Sequence, residues 1–228
     1  MSMIALLQEK LPQLSASQHA KLCAYYELLL AGSKRMNLTA ITDAREVADK
    51  HFVDSLLALP YMKQGASCID IGTGAGFPGI PLLIARQDIQ MTLLDSLQKR
   101  VRFLEETLAA LGLRATLVCA RAEDAGRRGE HRERYDIALS RAVAPLPVLL
   151  ELCTPFVRVG GAALNYKGPG AEEEIAAAQN AGKLLNCELD VLVCKSAYGA
   201  RNIVRAAKRK STPACYPRRA GDPAREPL

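Results

Sequence analysis

The chain has 228 residues, of which 49% are hydrophobic and 24% charged, and this composition is typical of a globular protein and excludes wholesale disorder. Apolar runs fall short of the roughly 18 residues that a membrane-spanning helix needs, and the N-terminus carries no basic leader, so we expect a cytoplasmic protein without a membrane partner. The seven cysteines are scattered without a Cys-x-x-Cys pair, which excludes a disulfide framework and, with three separated histidines, predicts no metal site.

The net charge of +6 lies at the C-terminal end of the chain. Residues 1–200 hold 22 basic and 22 acidic residues, whereas residues 201–228 hold eight basic residues against two acidic ones. A local positive field attracts polyanions, of which nucleic acid is the usual one. The alternative is a tail that serves solubility only.

Helical periodicity marks the first sixty residues. Apolar residues recur at steps of three and four over residues 16–30, which follow a serine typical of a helix N-cap. They recur again over residues 43–59, and Pro60 ends this second helical segment.

From residue 67 onward, short apolar strands alternate with helices. The predicted strands are residues 68–71, 91–95, 116–119, 136–140, 162–166, 188–194 and 203–206. The predicted helices between them are about residues 78–86, 97–111, 146–156 and 172–184.

This alternation predicts a doubly wound α/β fold, in which helices cover both faces of a mostly parallel sheet. The last two strands leave no room for a helix between them, so we expect an antiparallel hairpin that turns around residues 196–201. Residues 212–228 carry four prolines, and we expect them to lie over the surface without a regular element. The predicted units are an N-terminal helical extension (1–62), the α/β domain (63–210) and a basic, proline-rich tail (211–228).

The sharpest local signal is the sequence IDIGTGAGFPG at residues 69–79, where a hydrophobic strand enters a glycine-rich turn ahead of a helix. Gly72, Gly74 and Gly76 let the backbone bend sharply and let a ligand lie against it. The formal match to a dinucleotide fingerprint is weak on its own. Asp70 at the strand end repels a phosphate but suits the ammonium group of S-adenosylmethionine, so the turn favours that cofactor.

Acidic residues at the ends of the next two strands predict the rest of an adenosine site. Asp95 is placed to bind both ribose hydroxyls, which NAD and S-adenosylmethionine have in common, and its alternative role is a helix N-cap. Glu123, which follows the third strand, is placed to face the adenine amino group. Alternatively, Glu123 and Asp124 belong to a solvated charge run at residues 121–134.

The fourth strand ends at Arg141, where this architecture places its chemistry. The sequence there has neither an Asn/Asp-Pro-Pro-aromatic run for an exocyclic amine nor a Pro-Cys or Thr-Cys pair that supplies a thiolate to a pyrimidine. Guanine N7 needs neither, because its lone pair carries no proton to remove. In-line transfer then requires orientation rather than a general base, and Arg141 is the candidate for it. The alternative for Arg141 is an ion pair with a structural carboxylate.

Seven segments, in their order along the chain, resemble the RsmG (GidB) family of bacterial 16S rRNA guanine-N7 methyltransferases. They are MNLTAI at 36–41, HFxDS at 51–55, residues 70–81, LLDS at 93–96 with KR at 99–100, SRA at 140–142, KG at 167–168 and YPRR at 216–219. The resemblance implies the class I S-adenosylmethionine-dependent methyltransferase fold, with a Rossmann-like, seven-stranded, mostly parallel sheet. It also implies methylation at N7 of a guanosine in the 530 loop of 16S rRNA, guanosine 527 in the usual bacterial numbering.

The resemblance also gives residues their roles. With the turn residues Asp70, Gly74 and Gly76, its cofactor pocket falls on Gly72, Phe77, Asp95, Ala122, Glu123 and Arg141. Candidate contacts to the RNA are Asn37, His51, Lys167, Arg218 and Arg219, and the alternative for His51 is a packed helix residue. The expected partner is 16S rRNA in the small ribosomal subunit or an assembly intermediate, bound by a monomer. The charged loop at residues 126–134 has no assigned role.

Three other functions fit parts of the same pattern. A nicotinamide-dependent oxidoreductase would be protected against thermal unfolding by NAD. An RNA-binding protein without activity would show a steep salt dependence and no methyl transfer. A methyltransferase could also act on another RNA or on a small molecule. For the basic tail, the sequence predicts that truncation after Lys210 weakens RNA binding and spares the cofactor.

Overall fold

The computed structural model describes residues 1–168, 170–194, 199 and 201–228. The chain begins with two helices, α1 at Met3–Lys10, which the sequence analysis did not predict, and α2 at Ala16–Met36. Ser15 caps α2 by accepting a hydrogen bond from the Gln18 amide, while the Gln18 side chain accepts one from the Ser15 amide. This capping box satisfies two backbone donors and fixes where α2 begins.

The segment predicted as a helix over residues 43–59 is helical, but it is not one regular α-helix. It comprises α3 (Ala44–Val47), a π-helical segment (Ala48–Val53) and a 3-10 helix (Leu56–Tyr61). Within the π-helical segment the Lys50 carbonyl accepts a hydrogen bond from the Arg141 guanidinium. A π-helical turn is rare and frequently lies at a functional site, and here it carries the contact with Arg141.

Seven strands form one sheet, and all seven predicted strands are confirmed. They are β1 Ser67–Ile71, β2 Gln90–Asp95, β3 Thr116–Cys119, β4 Tyr135–Arg141, β5 Val157–Lys167, β6 Cys187–Cys194 and β7 Arg201–Lys208. The order is β3-β2-β1-β4-β5-β7-β6, with β7 antiparallel to both of its neighbours. Because β1 lies between β2 and β4, the carboxyl ends of these three strands meet at the place where open α/β sheets bind ligands.

Helices cover both faces of the sheet, as the alternation predicted. They are α4 Gly79–Ala85, α5 Gln98–Leu111, α6 Ala122–Ala125, α7 Leu146–Cys153, continued by a 3-10 turn at Thr154–Phe156, and α8 Ala171–Leu184. On one face Leu22 and Phe52 of the N-terminal helices share a hydrophobic core with Leu93 of the sheet. The first sixty residues are therefore packed against the sheet, while the unit boundaries at residues 62 and 210 stay predictions.

The pairing of β6 with β7 is antiparallel and runs from Cys187 opposite Lys208 to Cys194 opposite Arg201. This confirms the predicted hairpin pairing. Of the turn predicted around residues 196–201, residues 196–198 and 200 lie outside the described residues.

Residues 211–228, which we call the strap, follow the sheet and contain a one-turn helix, α9, at Asp222–Arg225. The expectation that this stretch holds no regular element is wrong. Pro223 is compatible with α9 because the first residues of a helix have no intrahelical N–H bond to lose.

The structure shows what most basic residues of the predicted cationic tail contact. Six of the eight basic residues at 201–228 form ion pairs with acidic residues of the same chain: Arg201–Asp54, Arg205–Asp190, Lys208–Glu133, Arg209–Glu188, Arg218–Glu151 and Arg225–Asp222. These pairs hold the end of the chain on the rest of the protein and leave the net charge of +6 unchanged, so the attraction of this stretch for a polyanion stays a prediction.

Candidate functional site

The glycine turn between β1 and α4 is built around a buried carboxylate. Asp70 Oδ2 accepts hydrogen bonds from Thr73 Oγ1 at 2.6 Å and from the Gly79 amide at 2.9 Å. Asp70 is fully buried, and this burial raises the pKa of its carboxyl to about 6. Its second oxygen, Oδ1, is buried without a hydrogen-bond partner among the described residues. Asp70 therefore shapes the turn from within and retains one unused acceptor.

Two glycines of the turn are required by its geometry. Gly72 has φ +67° and Gly76 has φ +106°, a region that other residues adopt only with strain. A Cβ at Gly72 would lie 2.9 Å from Val143, and one at Gly76 would lie 2.5 Å from Ile80. At Gly74 a Cβ would meet no side chain within 4 Å, so a ligand has room to lie against that part of the backbone.

Asp95 at the end of β2 connects the turn to the neighbouring strand. Its Oδ2 accepts from the Gly74 amide at 3.0 Å, and its Oδ1 accepts from the Leu97 amide at 2.9 Å. Arg100 lies 3.3 Å from the same carboxylate, which is 2% exposed. The hydrogen bond to Leu97 resembles the helix-cap alternative, while the hydrogen bond to Gly74 places Asp95 beside the turn.

A cavity of 240 Å³, which we call the turn cavity, opens beside Gly72. Its lining is mostly apolar and also includes Ile71, Leu94, Ser96, Ala120, Arg121, Ala122, Glu123, Val143, Ala144, Val148, Leu152, Gly221, Pro223 and Ala224. Three candidate residues, Gly72, Ala122 and Glu123, thus meet in one place. Glu123 is buried and accepts a hydrogen bond from the Gly221 amide at 2.9 Å, so it is not part of a solvated charge run.

A second cavity, of 360 Å³, lies between the N-terminal helices and the ends of β4, β5 and β7. We call it the cationic cavity, because the cations Lys50, Arg141, Lys167 and Arg201 line it, together with His51 and Asp54. Ala144 lines both cavities, so the two are adjacent. Ala142, beside this shared wall, has φ +56°, a strained backbone conformation of the kind that clusters at functional sites.

Arg141 joins β4 to the N-terminal helices. Its Nη1 donates to Asp54 Oδ2 and to the Lys50 carbonyl, both at 3.0 Å, and Asp54 also pairs with Arg201 at 3.1 Å. The guanidinium carbon lies 4.9 Å from the centre of the Phe77 ring, a cation–π arrangement. Arg141 therefore both forms the structural ion pair considered as its alternative role and lines the cationic cavity.

His51 stacks on Phe77, with ring centroids 4.5 Å apart, and its Nε2 lies 3.0 Å from Thr39 Oγ1. Burial, with the nearby charge of Arg141, lowers the pKa of the imidazole to about 4. The ring is therefore neutral at physiological pH. His51 is packed, as its alternative role required, yet it also lines the cationic cavity.

The candidate RNA contacts are not equivalent in the structure. Lys167 lines the cationic cavity and donates to Glu174 at 2.6 Å and to the Ala144 carbonyl at 3.1 Å. Asn37, at the end of α2, and Arg219 are exposed. Arg218 is different, because its guanidinium is bonded to the fully buried Glu151. Arg218 therefore holds the strap, and because its side chain is still 24% exposed, its contact with RNA stays a prediction.

Some residues of the site were not predicted from the sequence. Tyr25 in α2 is fully buried and donates a hydrogen bond at 2.6 Å to the Ala75 carbonyl in the glycine turn. Tyr166 lines the cationic cavity and donates to the Ser55 carbonyl at 2.6 Å. Both look like ordinary apolar-face residues in a sequence, and only their long-range partners reveal the role.

In the part of the chain that the structure describes, no group of His, Cys, Asp and Glu side chains is arranged to hold a metal ion. No helix there is long and apolar enough to cross a membrane.

The sequence is similar to known proteins over most of its length. A family model described as rRNA small subunit methyltransferase G matches residues 18–204. A relative from Desulforamulus reducens named Ribosomal RNA small subunit methyltransferase G is 49% identical over 214 residues, covering 90% of this chain and 88% of the relative. A relative of the same name from Alkaliphilus oremlandii is 45% identical and covers 95% and 93% of the two chains.

Solved structures are similar in fold. A methyltransferase from Pyrococcus furiosus has a TM-score of 0.56 at 14% identity and covers 80% of this chain and 97% of that chain. M. jannaschii TYW2, in complex with AdoMet, has a TM-score of 0.53 at 15% identity and covers 67% and 72%. At such identities the likeness shows the fold alone. It is the class I methyltransferase fold, with its seven-stranded, mostly parallel sheet.

Proposed function

This chain belongs to the rRNA small subunit methyltransferase G family, and we propose that it methylates N7 of a guanosine in the 530 loop of 16S rRNA, guanosine 527 in the usual bacterial numbering. Family membership establishes the coarser activity, that of an S-adenosylmethionine-dependent methyltransferase of small-subunit rRNA. It also decides between the two adenosine ligands, NAD and S-adenosylmethionine, that Asp95 alone left open, since this family uses S-adenosylmethionine.

The observation that carries the proposal is the pair of adjacent cavities with Ala144 in both walls. One is mostly apolar and lies beside the glycine turn, which suits an adenosine. The other is lined by cationic side chains, which suits a base that arrives with its phosphates. A methyl group held at the boundary between them is close to both sites.

The residues of the turn fit S-adenosylmethionine. Gly74 leaves its backbone open to a ligand, and Gly72 lines the turn cavity. The buried Asp70 Oδ1, in the strand that leads into the turn, is an acceptor without a hydrogen-bond partner among the described residues. Asp95 already accepts from Gly74 and Leu97, and we propose that it shares these acceptors with the ribose hydroxyls. We propose that Gly76 and Phe77 determine the shape of the turn. When bound, the cofactor supplies an electrophilic methyl group on its sulfonium.

The acceptor side requires orientation rather than proton removal. The N7 lone pair of guanine forms the new C–N bond while the S–C bond breaks, and no proton leaves the base. Two features of the cationic cavity support this course. His51, with its pKa near 4, is a poor base, and Asp54 is engaged by Arg141 and Arg201. Arg141, fixed by Asp54, Lys50 and Phe77, is the group that we expect to orient the guanine.

The RNA contacts stay a proposal, and we assign fewer residues to them than the sequence suggested. Lys167 and His51 lie in the wall of the cationic cavity, so we assign them to the target nucleotide. Asn37 and Arg219 are exposed, so we assign them to the surrounding RNA. The proposed partner is 16S rRNA in the small ribosomal subunit or its assembly intermediate, and the proposed enzyme is a cytoplasmic monomer.

Methyl transfer to small-subunit particles from a strain that lacks the enzyme tests the proposal. Labelled S-adenosylmethionine reports the transfer, and borohydride–aniline strand scission locates N7-methylguanine. We expect one scission site, in the 530 loop. Label at another position of the RNA, or label without scission, would contradict the assignment to N7 of that guanosine.

A further inference from the structure

We propose that the strap forms part of the cofactor site, with Gly221, Pro223 and Ala224 as the wall that closes the turn cavity over the adenine of S-adenosylmethionine. The inference rests on the proposed use of the turn cavity by that cofactor. From its composition, the strap is predicted to bind RNA and to have no effect on the cofactor. The wall then sets the affinity for the cofactor, and Arg219, which precedes it in the strap, keeps its proposed contact with the RNA.

The first support is the lining of the turn cavity itself. Gly72 and Val143 come from the ends of β1 and β4, and Ala122 begins α6, whereas Pro223 and Ala224 belong to α9. The facing surfaces are mostly apolar, as a purine base requires. Without α9 the cavity would be open to water on one side, and a bound base would keep that face hydrated.

The second support is the pair formed by Glu123 and Gly221. Glu123 is the residue that we expected to face the adenine amino group. Its Oε1 instead accepts the Gly221 amide at 2.9 Å, directly ahead of α9. A hydrogen bond from a backbone amide to a carboxylate is charge-assisted and therefore strong. Glu123 thus acts on the cofactor through the strap as a positioning residue, because it fixes where α9 begins.

The third support is the clamp made by Arg218 and Glu151. Glu151 in α7 is fully buried and accepts hydrogen bonds from the Arg218 amide at 2.7 Å and from Arg218 Nη2 at 2.6 Å. The same guanidinium donates to the Glu226 carbonyl at 2.8 Å. Arg218 precedes α9 and Glu226 follows it, so one side chain holds both ends of the helical turn against the domain.

The charged loop at residues 126–134, which the sequence left without a role, anchors the earlier part of the strap. Arg127 Nε donates to the Pro217 carbonyl at 2.8 Å. Arg132 donates to the Tyr216 and Thr212 carbonyls, both at 2.8 Å. These cations satisfy carbonyls of a segment that has no regular hydrogen-bond ladder there. The loop is therefore part of the support for the cavity wall.

Deletion of residues 221–228 from the otherwise full chain tests the inference, because it removes the wall and leaves Arg218 on Glu151. Titration calorimetry with S-adenosylmethionine is the readout. We expect the Kd of the deletion variant to rise at least tenfold. Ala224→Asp, at an exposed position of the wall, is the second variant, expected to fold normally and to raise the Kd similarly. Arg225→Ala is the matched control, because Arg225 does not line the cavity, and its Kd is expected to stay within twofold.

Kinetics separate this role from RNA binding. With small-subunit particles as substrate, the deletion is expected to raise the KM for S-adenosylmethionine and to leave kcat at saturating cofactor unchanged. The salt dependence of particle binding is expected to be that of the full chain. Equal Kd values for the full chain, the deletion variant and Ala224→Asp would overturn the inference, as would a loss confined to particle binding. If the full chain itself binds no S-adenosylmethionine, the proposed function fails first.

Discussion

Asp95 is the residue at which the glycine turn, the second strand and the proposed cofactor meet. Its carboxylate accepts from two backbone amides, those of Gly74 and Leu97, and it is nearly inaccessible to water. A carboxylate has about four lone-pair sites, and Arg100 Nη1 takes a third one at 3.3 Å. One site is therefore free for a ribose hydroxyl, and a second becomes free if the cofactor displaces Arg100, while both backbone amides keep the turn in place. The same residue therefore preorganises the turn and offers acceptors to the cofactor.

Asp95→Ala is expected to weaken S-adenosylmethionine binding by roughly 2–3 kcal/mol, since hydrogen bonds to a charged group contribute about 1.5–3 kcal/mol each and water recovers part of the loss. Calorimetry measures this as a rise in Kd of about 30- to 150-fold. Asp88→Ala is the control, because Asp88 is paired with Arg86 away from both cavities. An unchanged Kd for Asp95→Ala would contradict the assignment.

His51 gives the stability of the protein a predictable pH dependence. Its pKa is about 4 in the folded protein, against 6.5 for an ordinary imidazole, so the unfolded chain binds the proton first. The stabilisation is complete above pH 6.5 and is lost as pH falls through 4, with a ceiling of about 3 kcal/mol. Urea unfolding of the wild type and of His51→Gln between pH 7 and pH 4 measures it.

The comparison between these two proteins isolates the histidine. Asp70, with its raised pKa near 6, favours the folded state at low pH and acts in the opposite direction, but it is present in both. The wild type is therefore expected to lose stability relative to His51→Gln as pH falls. If the two pH profiles run parallel, His51 is not buried in its neutral form.

At the scale of elements, the glycine turn is fixed by the shape of what surrounds it. Gly76→Ala would combine a left-handed backbone, costing roughly 1–2 kcal/mol, with a Cβ placed 2.5 Å from Ile80, costing about 1–3 kcal/mol. Gly65→Ala is the matched control, because its φ is +68° but nothing lies within 4 Å of the new Cβ. We expect Gly76→Ala to reduce the free energy of unfolding clearly more than Gly65→Ala in urea titrations. Equal losses in the free energy of unfolding would mean that the Ile80 side chain moves away from the new Cβ without an energetic penalty.

The elements that the sequence predicted well are those whose signal is local. Each strand is a short apolar run bounded by turn residues, and all seven were found in order. The irregular helix after Asp43 could not be predicted, because its π-helical part contacts Arg141, far along the chain. α9 was missed because four prolines argued against a helix, although Pro223 sits where a helix accepts it.

The same distinction applies to the site. The glycine turn, Asp95 and Arg141 could be found from the sequence, because their places after strands are fixed by the fold. The hydrogen-bond and ion-pair partners within the site could not be found from the sequence. Asp54 meets Arg141, Tyr25 meets Ala75, and Glu151 meets Arg218 only through tertiary packing, which a single sequence does not record.

At the scale of the whole molecule, both ends of the chain are fastened to the sheet and flank the two cavities. The N-terminal helices reach the site through Arg141 and Asp54, and the strap reaches it through Arg218 and Glu151. In the pair formed by Arg218 and Glu151, the Glu151 carboxylate is fully buried. A buried ion pair holds two segments in one relative position, because either charge left alone is costly.

Arg218→Met is expected to lower the free energy of unfolding by about 3–5 kcal/mol, because it leaves the Glu151 carboxylate buried and unpaired. Arg209→Met is the control, since its partner Glu188 is 66% exposed and an exposed pair contributes about 0–1 kcal/mol. Denaturant unfolding of both variants measures the difference. Losses of the same size would show that the strap is not held by Glu151.

The order of strands in the sheet has a consequence for how the protein folds. β1 and β4 are neighbours, with Asp70 opposite Leu139, although β2, α5 and β3 come between them in the chain. Bringing such distant segments together is slow, because the entropy of closing a long loop is lost before any contact forms. The turn cavity is lined by Ile71 and Gly72 on one side and by Val143 and Ala144 on the other, so it does not exist until that pairing is made. Cofactor added during refolding therefore stabilises only species in which β1 and β4 are already paired, and it cannot guide the steps before that pairing.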